Sequence, residues 1–150
     1  MKKYLRFIVM IIVSTLVMFV MMYFDVYQLD HIFFSQTMAF KALMMGAGMA
    51  IIMLLFMWHM YENKKANLVI LVFSVLVFAG SLFMVQSQTA VDDEAWMKAM
   101  IPHHSIAIMT SNRAELKDPK VRKLAEQIIE AQEREIKEMK QLIKEEEKKK

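Results

Sequence analysis

No cysteine occurs in this chain, which excludes disulfides, zinc thiolate sites and iron–sulfur clusters. The lack suits an oxidising compartment without singling one out. Glycine and proline are scarce, three and two in 150 residues, and they build no glycine-rich phosphate loop. A Ser–His–Asp set and an HExxH helix are also missing, so nothing positive points to catalysis and a non-enzymatic role is expected. Charge is absent from three long stretches, and those stretches organise the rest of the chain.

Phe7 to Phe24 runs 18 residues broken only by Ser14 and Thr15; Ala42 to Met60 runs 19 with one His59; Leu68 to Val85 runs 18. About 20 apolar residues in a helix cross a ~30 Å hydrocarbon core. Backbone groups in lipid must be satisfied within the segment, which selects helices. Three transmembrane helices are therefore expected, at about 5–24, 38–61 and 68–86. The first follows basic Lys2, Lys3 and Arg6, yet it exceeds the length of a signal h-region and no small-x-small site follows, so it reads as a retained anchor.

Lys64 and Lys65 lie in the second loop, whereas the first loop, Asp25 to Gln36, has Asp25 and Asp30 and no Lys or Arg. Basic residues stay cytoplasmic. This predicts a multi-pass protein of the inner or plasma membrane with its N-terminus inside and residues 87–150 outside, in contact with membrane lipid. From Ser87 onward 13 basic residues balance 13 acidic ones, so the basic character of the chain belongs to the inner face and no nucleic-acid partner is expected.

In the second span Ala42, Gly46 and Ala50 repeat at every fourth position, a pattern that lets helices approach closely in lipid. Beside them Met38, Met45, Met49, Met53 and Met60, with Met57 at the edge, form a row. The row reads first as flexible apolar packing, second as a path for a soft metal ion. Lys41 can snorkel outward, His59 fits an interfacial belt with Trp58 and Tyr61, and Asp30-His31 is a weak metal pair.

Beyond Thr89 the pattern becomes amphipathic. Thr89-x-x-Asp92, or Asp92 alone, can cap a helix with Asp93 and Glu94 in its first turn, running to about Leu116. Pro102 either kinks that helix or opens a second one. Asp118-Pro119 starts another, with an apolar stripe of Val121, Leu124, Ala125, Ile128, Ile136, Met139, Leu142 and Ile143. Lys120, Arg122 and Lys123 at its start oppose the helix dipole. The short turn between the two makes an antiparallel hairpin.

On a helix continuing through Pro102, Met97, Met100 and His104 fall within about 60°, with His103 at the edge. Gln132, Glu135 and Met139 share a face of the last helix and lie opposite, while Met109 falls on another face. Thioether and imidazole donors suit Cu(I). The same stripe of Met97, Met100, Ile101 and Ile108 also serves a packed hairpin, with His104 a core histidine bonded to Glu135. A ferritin-type di-iron centre is excluded, since that needs Glu-x-x-His twice.

Met97-Lys-Ala-Met-Ile-Pro-His-His-Ser-Ile-Ala-Ile-Met109, Asp118-Pro119 and Leu124-Ala-Glu-Gln-Ile-Ile-Glu-Ala-Gln-Glu-Arg-Glu-Ile-Lys-Glu-Met139 together resemble the family called domain of unknown function 305, over about Asp92 to Ile143. That family is ferritin-like and helical and includes periplasmic copper-binding proteins, the copper metallochaperones of cyanobacteria. The resemblance implies copper, with silver as an alternative, at Met97, Met100, His103, His104, Met109 and Met139, with Gln132 and Glu135 as motif positions. Better-known members are soluble and often carry two such units in a four-helix bundle; this chain has one unit.

The expected architecture is all-α: a transmembrane region over 1–86, then an extracytoplasmic amphipathic hairpin over 87–150, a ferritin-like half-bundle. The expected function is membrane-anchored copper binding for tolerance or delivery, Cu(I) ahead of Cu(II). A homodimer completing a four-helix bundle and a metal-acceptor protein are the expected partners. A non-metal scaffold docking through the hairpin is the alternative, and transport along the methionine row a third reading.

Overall fold

The computed structural model describes residues 2–149; Met1 and Lys150, the ends of the two expected regions, lie outside them. Five α-helices and no strand occur among the described residues: α1 Lys2–Met21, α2 Gln36–Phe56, α3 Lys64–Ser87, α4 Asp93–Arg113 and α5 Pro119–Lys149. The first three are long and apolar enough to cross a membrane. The chain divides into two compact units, one of residues 1–22 and 37–90, the other of 23–36 and 91–150. The first loop thus groups with α4 and α5, although its position in the sequence suggested the membrane region.

In the first unit, α2 buries Met38, Ala42, Gly46, Ala50 and Leu54 at four-residue spacing, with Ala47 beside them. The small residues admit a neighbour: a Cβ on Gly46 would overlap Thr15 Oγ1 of α1. Phe7, Ala50, Leu54 and Tyr61 form the core near the end of α2. There α2 stops at Phe56, short of the expected 61, and a 3-10 turn covers Trp58–Met60. The cause is Asn67, fully buried, whose amide Nδ2 donates to the Tyr61 carbonyl at 3.2 Å and the Trp58 carbonyl at 3.5 Å. Carbonyls satisfied this way need no helical partner. Met60 therefore leaves the helical methionine row. Asn63 caps α3 by accepting from Lys65 N and Ala66 N.

In the second unit, Asp92 itself caps α4, accepting from Ala95 N at 2.8 Å. The helix continues through Pro102 and ends at Arg113, three residues before the expected limit. Asp118 Oδ1 accepts from Lys120 N and Val121 N, so α5 begins at Pro119. Arg122 Nη2 donates to the Leu116 carbonyl at 2.9 Å. This accounts for part of the basic start of α5: its cations lie beside the C-terminal end of α4, where the neighbouring dipole is negative. Met97, Ile101 and Ile108 of α4 pack with Ile136, Met139 and Ile143 of α5. Val121, Leu124 and Leu142 of the expected stripe are instead about half exposed. The buried positions Ala125, Ile136, Met139 and Ile143, with Ile129 between them, follow three-, four- and seven-residue spacings, a narrower seam.

Candidate metal centre

His104 fixes the register of α4 on α5. Its Nε2 lies 2.8 Å from Glu135 Oε2, and Lys98 Nζ lies 3.9 Å from Glu147 Oε1, so early α4 faces late α5 and the pair is antiparallel. With 104 opposite 135, one turn back on α4 and one turn on along α5 bring Met100 opposite Met139. Met139 is buried in the core, Met100 packs against it, and Met97 is buried in the same cluster. Two rungs about 6 Å apart thus carry an imidazole, a carboxylate and two thioether side chains.

The ring of His104 is placed between two acceptors. Nδ1 is 3.0 Å from the Met100 carbonyl oxygen, which only accepts, so Nδ1 carries a hydrogen. Nε2 then faces a carboxylate oxygen. An imidazole lone pair and a carboxylate cannot bond each other directly; a positive centre must lie between them. A proton on Nε2 fills that role as an ion pair. A metal ion would take Nε2 only with Glu135 moved aside, since 2.8 Å is a hydrogen-bond distance; Nδ1–H would stay held by a backbone carbonyl, the outer-shell arrangement usual for metal-binding histidines.

The remaining candidates stand apart. His103 is exposed, about 100° around the helix from His104. Met109 is half-buried, roughly 18 Å along α4 from Met97 and about 120° around it. Gln132 is half-buried one turn from Glu135. The structure therefore brings Met100, His104, Glu135 and Met139 to one place, backed by Met97, and leaves His103, Met109 and Gln132 on the flanks. Among the described residues no three histidines, aspartates or glutamates converge as a metal-holding group. A site at His104 with three or four donors must draw on thioethers, and softness favours Cu(I) over zinc or iron there.

His31 plays a different part from the weak metal pair it suggested. It is 6% exposed, and its Nδ1 lies 2.9 Å from Ser105 Oγ, which also accepts from Tyr27 N at 2.7 Å. A hydroxyl that accepts from an amide and donates to an imidazole satisfies both, so His31 is the acceptor and neutral. Burial, reinforced by the charge of Lys140 and opposed by Asp30, holds its pKa below the ordinary value. Lys140 bonds Asp30 at 2.6 Å, which lowers the Asp30 carboxyl. The loop is thereby tied to both helices. Ser105, adjacent to the histidine pair, gave no sequence signal beyond a hydroxyl in an apolar stretch.

Residues 84–145 match the family model described as Domain of unknown function (DUF305). The chain is also similar to "Uncharacterized protein L153" of Acanthamoeba polyphaga mimivirus, 31% identical over 108 residues covering 69% of this chain and 68% of the viral one. No solved structure matches.

Proposed function

The chain belongs to the DUF305 family, and from that premise we propose that it is a membrane-anchored copper-binding protein whose α4–α5 hairpin, a ferritin-like half-bundle, lies outside the cytoplasm. The observation that carries this reading is the His104 ring, held at Nδ1 by the Met100 carbonyl with Nε2 2.8 Å from a Glu135 carboxylate oxygen. Met100 and Met139 supply the soft donors beside it. Cu(I) is the preferred cargo over Cu(II), and silver fits the same donors. The role is tolerance or delivery to an acceptor protein. Orientation follows from Lys2, Lys3, Arg6, Lys64 and Lys65 on one side of the spans.

The flank bearing His104 and Glu135 also carries Trp96, Val121, Leu124 and Leu142, each 44–55% exposed. A second copy laid on this flank would cover those side chains and complete a four-helix bundle around the site. The same exposed set supports the second reading, a scaffold whose hairpin docks on another protein without metal.

Full-length protein in detergent, titrated with Cu(I) against a competing chelator, tests the first reading. His104→Ala and the volume-conserving pair Met100→Leu/Met139→Leu are each expected to weaken binding roughly tenfold or more, one good donor being worth at least ~1.4 kcal/mol. Binding should also weaken on acidification, since the proton competes at Nε2, without vanishing, since thioethers need no deprotonation. Affinity untouched by either variant would remove these residues from the site. Copper that shifts neither melting nor oligomeric state favours the scaffold.

A further inference from the structure

Helix α5 has a second flank, turned toward the first loop. Lys137, Lys140, Gln141 and Lys144 recur at helical spacing on it, and with Gln28 and Asp30 of the loop they line a cleft of about 410 Å³. Its carboxylates are Asp30 and Glu133, fewer than its three lysines. Lys140 is bonded to Asp30, whereas Lys137 and Lys144 make no ion pair among the described residues. His31, buried within the loop and neutral, adds no charge. The cleft is thus lined by one ammonium engaged with a carboxylate and two without an ion pair among the described residues.

The loop itself supplies a second, independent observation. Phe24, Leu29, Ile32 and Phe34 are 74%, 83%, 45% and 66% exposed, a dense set of large apolar side chains for so short a segment. The loop is joined at one end to α1 and at the other to α2, both apolar enough to cross a bilayer. Side chains of this kind belong in the boundary between headgroups and acyl chains. A loop that seats its apolar side chains in that layer brings its polar side, and the lysines facing it, within reach of lipid phosphates.

We propose that the cleft between the first loop and α5 binds the phosphate of an anionic phospholipid, with Lys137, Lys140 and Lys144 as its cationic contacts and the exposed loop side chains in the surrounding lipid. The phosphate replaces Asp30 on Lys140, exchanging one anion for another, and Asp30, already 66% exposed, turns to water at little cost. Free inorganic phosphate offers the same charge without the acyl chains that the loop side chains would meet. This proposal rests on the membrane reading of α1 to α3 and is independent of copper.

The test uses full-length protein in a neutral detergent, titrated separately with phosphatidylglycerol and phosphatidylcholine, with bound lipid read by native mass spectrometry. Wild type is expected to retain phosphatidylglycerol preferentially, and Lys137→Gln/Lys144→Gln is expected to cut that preference roughly tenfold or more. A control pair at the other end of the helix, Lys120→Gln/Lys123→Gln, should leave it unchanged. Equal preference in wild type and the Lys137/Lys144 variant, or an equal loss in the control pair, overturns the site. Sodium phosphate that displaces the lipid at millimolar concentration overturns the lipid assignment in favour of a soluble anion. Carbonate extraction of cell membranes separates the two failures: release of the protein refutes the membrane reading, whereas retention without lipid preference refutes only the cleft.

Discussion

Replacing Ser105 by alanine is the sharpest probe of how the first loop is held on the helix pair. Ser105 is fully buried, and its one hydroxyl serves Tyr27 N at 2.7 Å and His31 Nδ1 at 2.9 Å. Alanine removes an oxygen and little volume, so packing is nearly preserved and the loss is polar. Each buried group left without a partner costs about 1–3 kcal/mol. The sum is capped because the loop can lift and rehydrate both groups, so docking of the loop should weaken by about 2 kcal/mol, a factor of roughly 30. Hydrogen exchange at the Tyr27 amide reads this opening directly. Its protection should fall by that factor while amides in the middle of α5 change little. A fall of less than about threefold would refute the shared-hydroxyl account. The same network has an acid limit. The folded His31 pKa lies below the 6.5 of the unfolded chain, so the loop's contribution is fully present above that value and declines as pH drops below it. Tyr27 protection, corrected for intrinsic exchange, should therefore decrease between about pH 7 and about pH 5.

Two further substitutions address the two cores. Gly46→Ala places a Cβ onto Thr15 Oγ1 and 3.2 Å from Thr15 Cβ; the hydroxyl can rotate away but the Cβ cannot, so melting in detergent should show a loss of about 1–3 kcal/mol. Gly48→Ala meets only Phe78 at 3.6 Å and should be near neutral, so equal effects at the two glycines would refute the close approach of α1 to α2. Ile101→Ala empties a fully buried position between α4 and α5 and should cost about 2–5 kcal/mol by chemical denaturation, with a cost below about 1 kcal/mol arguing against that core.

Element type was legible from composition and caps. Uninterrupted apolar runs can only be helices if they lie in lipid, and Asp92 and Asp118 announce helix starts by their own side-chain chemistry. Counting back from the turn also anticipated His104 facing Glu135, because an antiparallel pair with a short connection has little freedom of register. Less legible were features decided by a single buried polar group. An asparagine at the edge of an apolar run does not by itself reveal that Asn67 takes two carbonyls just past the end of α2 at Phe56. Nor does spacing tell that the first loop folds onto α4, since the partners of Ser105 lie 74 and 78 residues away. For the candidate site, periodicity selected the face of α4 that packs against α5 and set His103 at its edge, yet it did not show that one helical step leaves His103 exposed while His104 meets Glu135.

The three sides of α5 explain why the donors lie where they do. Two helices alone can cover only one stripe on each, and a unit of about 60 residues has a marginal core. Here the first loop closes one open flank: Tyr27 and Phe33 pack against the core, and Asp30 and His31 bond to Lys140 and Ser105. The opposite flank keeps Trp96, Val121, Leu124 and Leu142 outward and holds the His104–Glu135 pair at its edge. Stability is thus supplied from the loop side, which leaves the other side free to carry a pair of groups that would gain from a cation. A metal ion arriving there need not open the core, because Glu135 is partly exposed and can swing, whereas Met139 behind it is buried and already positioned. The side chain that moves on binding should then be Glu135, and Glu135→Gln, which keeps the shape and removes the charge, should lower affinity less than loss of the His104 ring.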